Sequence, residues 1–168
     1  MTDTSDLHPS APLAFETVAA ALAAKPLSTE EELRATFDFN KAAVLAALQQ
    51  AGATAATVDY FGAGDEGRIE GVYTLPESAA STRVCLAVVE RSWDADAKRM
   101  TAAAALRDYA LDDALRELCD AAVTLTGHDG YENGEGGRGA LTVDVAAGEF
   151  SLEHGNYYVE RDVTEHKL

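Results

Sequence analysis

At 168 residues, 47 % of them hydrophobic, the chain is long enough to bury one core without disulfide or metal staples and too apolar to stay disordered. Thirteen Lys and Arg against 29 Asp and Glu give a net charge of −16, which repels duplex nucleic acid and anionic membrane and argues against direct binding to either. No apolar run reaches the roughly 18 residues needed to cross a bilayer.

Residues 1–10, MTDTSDLHPS, are polar and acidic, unlike a signal peptide or an Arg-rich transit peptide, and are expected to form a mobile tail. Pro12 suits a first helical turn, and Phe15, Val18 and Leu22 follow at helical spacing until Pro26. In STEEEL, Ser28 with Glu31 three residues on has the form of a capping box. Leu33, Phe37, Val44, Leu45 and Leu48 then trace a second helix as far as Gly52. TVDYF and RIEGVYTL are β-rich and flank a Gly/Asp loop, so they predict a hairpin. RVCLAVVE, apolar at successive positions, predicts an inner strand covered on both faces, and WDADAK a turn.

Propensity alone leaves 98–109 open between helix and returning strand. Leu111, Leu115, Leu118, Ala122 and Leu125 form a clear helical stripe after it. A glycine-rich loop from Gly127 leads into the half-buried strand ALTVDV, and AAGE turns the chain into FSLEHGNYYVE. The expected fold is a single α+β domain over 11–168, with helices in 11–51, a sheet-rich remainder and a helix near 110–126. About three helices pack on one face of a mostly antiparallel sheet. Cys85 and Cys119 lie in apolar patterns and are expected as buried free thiols in a reducing compartment, which implies a cytoplasmic protein.

Two stretches carry a resemblance. Gly62, Gly64, Asp65, Gly67, Ile69 and Glu70 fit a G-x-G-D-x-G-x-I-E loop, and Tyr131, Glu132, Asn133 and Gly134 fit a late W/Y-E-x-N/D-x-G loop. With Glu165 and His166 near the end, this pattern resembles an uncharacterised family of small bacterial proteins. The resemblance implies a helix before the second loop and a closing β-hairpin, and it supplies no activity. Members of that family occur in accessory or mobile-element gene sets, which implies that a role in host–phage conflict is open.

Several residues could carry chemistry. Asp59, Asp65, Glu66 and Glu70 offer the oxygens that Ca²⁺ or Mg²⁺ takes, although their spacing is not that of an EF-hand loop of about 12 residues. The competing reading is a hairpin turn in which glycines take positive φ and Asp65 caps a backbone N–H. His128, Asp129, Glu132 and Glu135 would join them in one divalent-metal site if the two loops met. The competing reading there has Tyr131 anchoring the loop while the carboxylates face water. His154 and His166 form no HxxxH or HExxH pair, and no G-x-S-x-G elbow occurs, so nucleophilic catalysis lacks a candidate.

Charge and chemistry together leave three roles open. The first is a non-enzymatic acidic interaction domain, an inhibitor or adaptor that docks on a basic protein surface, with no cofactor. The second is a Ca²⁺- or Mg²⁺-binding protein, or a metal-dependent hydrolase, using the loops 59–70 and 128–135. The third is a nucleic-acid mimic whose carboxylates stand in for phosphates. A homo-oligomer is compatible with each.

Overall fold

The computed structural model describes residues 11–165 and Lys167; the expected tail over 1–10 and His166 lie outside the described residues. Helices α1 (Ala11–Ala24) and α2 (Thr29–Gln50) lead into the hairpin β1 (Ala55–Ala63) and β2 (Glu66–Leu75). A short 3-10 turn, Glu77–Ser81, precedes a long ribbon of β3 (Arg83–Asp94) and β4 (Arg99–Ala110). Helix α3 (Leu111–Leu125) follows, and β5 (Gly137–Asp144) and β6 (Glu149–Asn156) close the domain. Four strands form one antiparallel sheet in the order β2-β1-β5-β6, and β3-β4 form a second sheet of two. The fold is therefore the expected α+β domain with three helices and a mostly antiparallel sheet.

The start of α2 follows from its first residues. Ser28 Oγ accepts the Glu31 N–H at 3.2 Å, and the Glu31 carboxylate accepts the Ser28 N–H at 2.8 Å, which satisfies two donors that helix geometry leaves unpaired. The helix then buries Val44, Ala47 and Leu48 against Val58, Tyr60, Leu141 and Val143 of the sheet and Leu111, Leu115 and Leu118 of α3. Glu32, only 5 % exposed, sits on the same helix and pairs with Arg91 of β3, because a buried carboxylate needs a cation beside it. Helix α1 covers a smaller cluster, in which Val18 and Leu22 meet Ala87 of β3.

Residues 99–110 form a strand. Alanine favours helix by about 0.5 kcal/mol or less per residue over most alternatives. That preference is outweighed here by an unbroken ladder from Arg83↔Ala110 to Asp94↔Arg99. Arg83–Asp108 and Arg107–Glu90 pair across it at 2.6 and 2.9 Å. The Asp94 carboxylate closes the ribbon by accepting the N–H groups of Asp96 and Ala97.

Two expectations are corrected. Leu86 and Ala87 do bury opposite faces of β3, in the main and the smaller cluster respectively, but β3 is not an inner strand. Its second edge faces the Asn40 side chain, whose Nδ2 donates to the Ala87 carbonyl at 3.0 Å and whose Oδ1 accepts the Ala87 N–H at 2.7 Å. One amide thus fills one station of a missing strand. Cys85 is exposed, since nothing covers its side of β3 so near the end of the ribbon; Cys119 is buried as expected.

Replacing Asn40 by Ala leaves the Ala87 N–H and C=O unpaired in a half-buried setting. The expected loss is about 1–3 kcal/mol in urea unfolding. An unchanged midpoint would show that water replaces the amide at no cost.

Candidate functional site

The two glycine-rich loops meet, through backbone and aromatic packing. Gly64 and Asp65, with φ of +62° and +67°, form the two-residue turn of the β1–β2 hairpin, the type whose twist matches paired strands. The Asp65 backbone N–H, rather than its side chain, makes the contact to the second loop, donating to the Glu132 carbonyl at 3.1 Å. Tyr131 lies over the hairpin. A Cβ on Gly62 would stand 2.8 Å from Tyr131 Cε2 and 2.7 Å from Glu132 Cα, and one on Gly67 would stand 2.9 Å from the Tyr131 hydroxyl. These glycines form a floor for an aromatic ring.

Beside that contact lies a stack of polar rings. Tyr131 meets the buried Tyr60 ring edge-on at 4.9 Å, and His128 stacks on His154 at 4.0 Å. The Tyr60 hydroxyl is 2.8 Å from His154 Nδ1, and His154 Nε2 is 2.9 Å from Asn156 Oδ1. An amide oxygen only accepts, so Nε2 donates to Asn156, and the Tyr60 hydroxyl, which also lies 3.5 Å from the Glu153 carbonyl, gives Nδ1 a partner as well. Gly139 of β5 leaves room for the Tyr60 hydroxyl, and Gly137 for the His154 ring. Burial pushes the Tyr60 phenol up to about 12, with Cys119 and Tyr131 adding to the shift. Burial, then the Asp120 carboxylate, pushes the Cys119 thiol up to about 12. Both stay protonated at neutral pH and serve packing and hydrogen bonding, because the thiolate is the reactive form of cysteine.

The eight carboxylate and histidine candidates are scattered around this contact. Asp65, Glu66, Asp129 and Glu135 are exposed; His128 and Glu132 are half-buried. Glu70 is the extra residue of a β-bulge and pairs with Arg68 at 3.4 Å. Asp59 faces away from the ring stack, on the opposite side of β1 from Val58 and Tyr60. Among the described residues no three His, Cys, Asp or Glu side chains are grouped to hold a metal ion. His154, which sequence reasoning set aside, is the residue that joins the second histidine to β1. Its partners come from β1, β6 and the second loop, and only strand register reveals that.

Register also reveals a second surface. The core lies on the Val58–Tyr60 side of the four-stranded sheet, and the other face is open. There Tyr73 lies beside Thr57, Arg138 beside Phe61, and Asp59 is separated from Glu153 by Ala140 alone. Asp144 and Glu149 pair at one end. At the other end the Arg68 guanidinium lies 5.8 Å from the centre of the Phe61 ring, and Tyr157 meets that ring at 6.3 Å. A shallow cleft of about 400 Å³ runs past Asp59, Arg138, Glu153, Asn156 and Tyr157.

Residues 36–168 match the model of a family of unknown function (DUF6878). No curated protein and no solved structure matches the chain.

Gly62→Ala drives a methyl group into the Tyr131 ring and the Glu132 backbone, and is expected to cost roughly 1–3 kcal/mol. An unfolding curve identical to that of the natural protein would disprove the glycine floor. The raised phenol and thiol set an alkaline limit. A group whose folded pKa lies above its ordinary value stabilises fully below the ordinary value and ceases to do so above the folded one. The contributions of Cys119 and Tyr60 are therefore complete below 9.0 and 10.0 respectively, and both are lost as pH climbs to about 12. Tyrosine absorbance should show a late phenolate step coincident with unfolding, which Tyr60→Phe reduces, leaving the Tyr131 phenol that burial also raises; an unaltered titration in that variant would contradict the assignment.

Proposed function

The chain belongs to this family of unknown function, whose description passes on no activity, and we propose that it is a non-enzymatic interaction domain. In this reading it docks the open face of its four-stranded sheet on a basic protein surface, as an inhibitor or adaptor would. One observation carries the reading: an uncovered sheet face on which the exposed Tyr73 and Leu75 and the half-buried Phe61 lie among Asp59, Asp144, Glu149 and Glu153.

Aromatic and aliphatic groups on an antiparallel face supply contact area with little rotamer entropy to lose. Carboxylates around them attract a cationic partner and set its approach, and the long-range part of that attraction is screened by salt. The net charge of −16 adds a steering field, which raises the rate of encounter with a basic surface rather than its lifetime. Arg68 and Arg138, together at one end of the face, oppose a partner that is uniformly basic and select one with an acidic or neutral group at that end.

A lysine-rich peptide bearing leucines serves as the probe, with calorimetry in a salt series. Neutralising Asp59, Asp144, Glu149 and Glu153 (to Asn or Gln) is expected to weaken binding tenfold or more, since four exposed pairs at about 0.2–1 kcal/mol each reach that range. Neutralising Asp112, Asp113, Glu117 and Asp120 of α3 removes the same charge elsewhere and is expected to leave most of the affinity. Equal loss in both variants would reduce the face to generic attraction and sink the proposal.

A further inference from the structure

The outer edge of β4 lacks the devices that protect sheet edges elsewhere in this domain. The Asn40 amide reaches the N–H and C=O of Ala87, so those groups point away from β4. Leu106 stands directly opposite Ala87 in an antiparallel ladder, so its own N–H and C=O point outward on the far side. By the period of the strand, Ala104, Ala102 and Met100 do the same, and β4 has no second strand neighbour among the described residues. Protected edges carry charge, proline or a bulge. The β2 edge has the Glu70 bulge and the Arg68–Glu70 pair, and the β6 edge has Glu149 and Glu153. Residues 100–106, MTAAAAL, carry none of these, and their register with β3 is unbroken.

We propose that β4 pairs antiparallel with β4 of a second copy of this chain, giving a continuous four-stranded sheet β3-β4-β4-β3. Charge identifies the occupant. Residues 83–110 contain Arg83, Arg91, Lys98, Arg99 and Arg107 against Glu90, Asp94, Asp96 and Asp108, so the charge of −16 lies on the rest of the chain. Two strongly acidic molecules therefore repel least where their ribbons meet. The edge is also complementary to itself, as a twofold interface requires. With Ala103 on the axis, Met100 faces the partner's Leu106 and Ala102 faces the partner's Ala104.

Trp93 stands opposite Met100 on β3 and Leu106 opposite Ala87, so the pairing extends one apolar row across all four strands. That row covers Trp93, Met100 and Leu106, which are 62 %, 56 % and 48 % exposed in the single chain. Arg99 then meets the partner's Arg107, whose own charge is offset by a Glu90 contact of the kind measured at 2.9 Å here.

Sedimentation equilibrium of the full chain over a concentration series tests this. A dimer is expected whose association strengthens with salt, as screening relieves the repulsion between acidic bodies, which is the opposite sign to binding at the open sheet face. Two edge variants should yield monomers: Ala104→Pro, which removes an outward N–H that β3 does not use, and Leu106→Lys, which charges the row. Circular dichroism checks that each keeps its fold, and Leu106→Lys decides the matter if proline disturbs the contact with α1. Hydrogen exchange should show the amides of Met100, Ala102, Ala104 and Leu106 protected in concentrated protein and exposed on dilution. A chain that stays monomeric throughout the series, a dimer that survives Leu106→Lys, or an edge that takes up an extended peptide in place of a second copy would each overturn the proposal.

Discussion

The seating of Tyr131 on the β1–β2 hairpin is the contact on which the arrangement of the sheet depends. The loop that carries it leaves the end of α3 and enters β5, so it fixes where the helix ends relative to the strand that pairs with β1. A ring can lie that close to backbone only where side chains are missing, hence Gly62 and Gly67 beneath it. Gly136 completes the contact from the other side: at φ +83° it approaches the Gly62 carbonyl so closely that a side chain would collide with it. The glycine-rich motifs are thus two halves of one contact, and its stability comes from aromatic packing, one backbone hydrogen bond and the Tyr60–His154–Asn156 chain beside it.

That contact joins the two loops through one backbone hydrogen bond and the Tyr131 ring. Glycines bring the backbones together, and the carboxylates that flank them are displaced to the periphery. Repulsion among Asp65, Glu66, Glu132 and Glu135 favours this arrangement, since carboxylates without a cation between them are most stable apart and in water. His154 has a hydrogen-bonding partner at both ring nitrogens, and the raised Tyr60 and Cys119 groups hold their protons. On the other face of the sheet Tyr73 and Leu75 are exposed.

Both surfaces considered for binding result from one division of labour. Helices α2 and α3 and the small 3-10 turn gather on the side of the sheet where Val58, Leu141 and Val143 point, and a ribbon too short in strands to form a sheet of its own is held by α1, by α2 and by one asparagine. A two-stranded ribbon necessarily keeps two edges. Asn40 and α2 attend to one of them, and among the described residues no further strand pairs with the uncharged alanine run along the other.

The sequence by itself determined the local elements whose signals are local. The capping box at Ser28 and Glu31, the stop at Gly52, the hairpin around Gly64 and the Leu111–Leu125 stripe each rest on residues within one or two turns of one another, and each was legible. So was the α+β class, which follows from hydrophobic period. Strand identity over 99–110 was not, because alanine prefers helix and only pairing with β3, a partner about one ribbon length away, reverses the balance. The exposure of Cys85 and the single-sided pairing of β3 were hidden for the same reason: an apolar run tells that both faces are dry, but not whether a strand or an asparagine lies along the edge. The meeting of the two glycine loops, the stacking of His128 on His154 and the open face with its aromatics and carboxylates depend on the register of β5 against β1, distant in the chain, which sets Gly62 against Gly137 and Ala55 against Asp144. Register is a property of the assembled sheet, where one residue of slip would exchange the buried face for the exposed one.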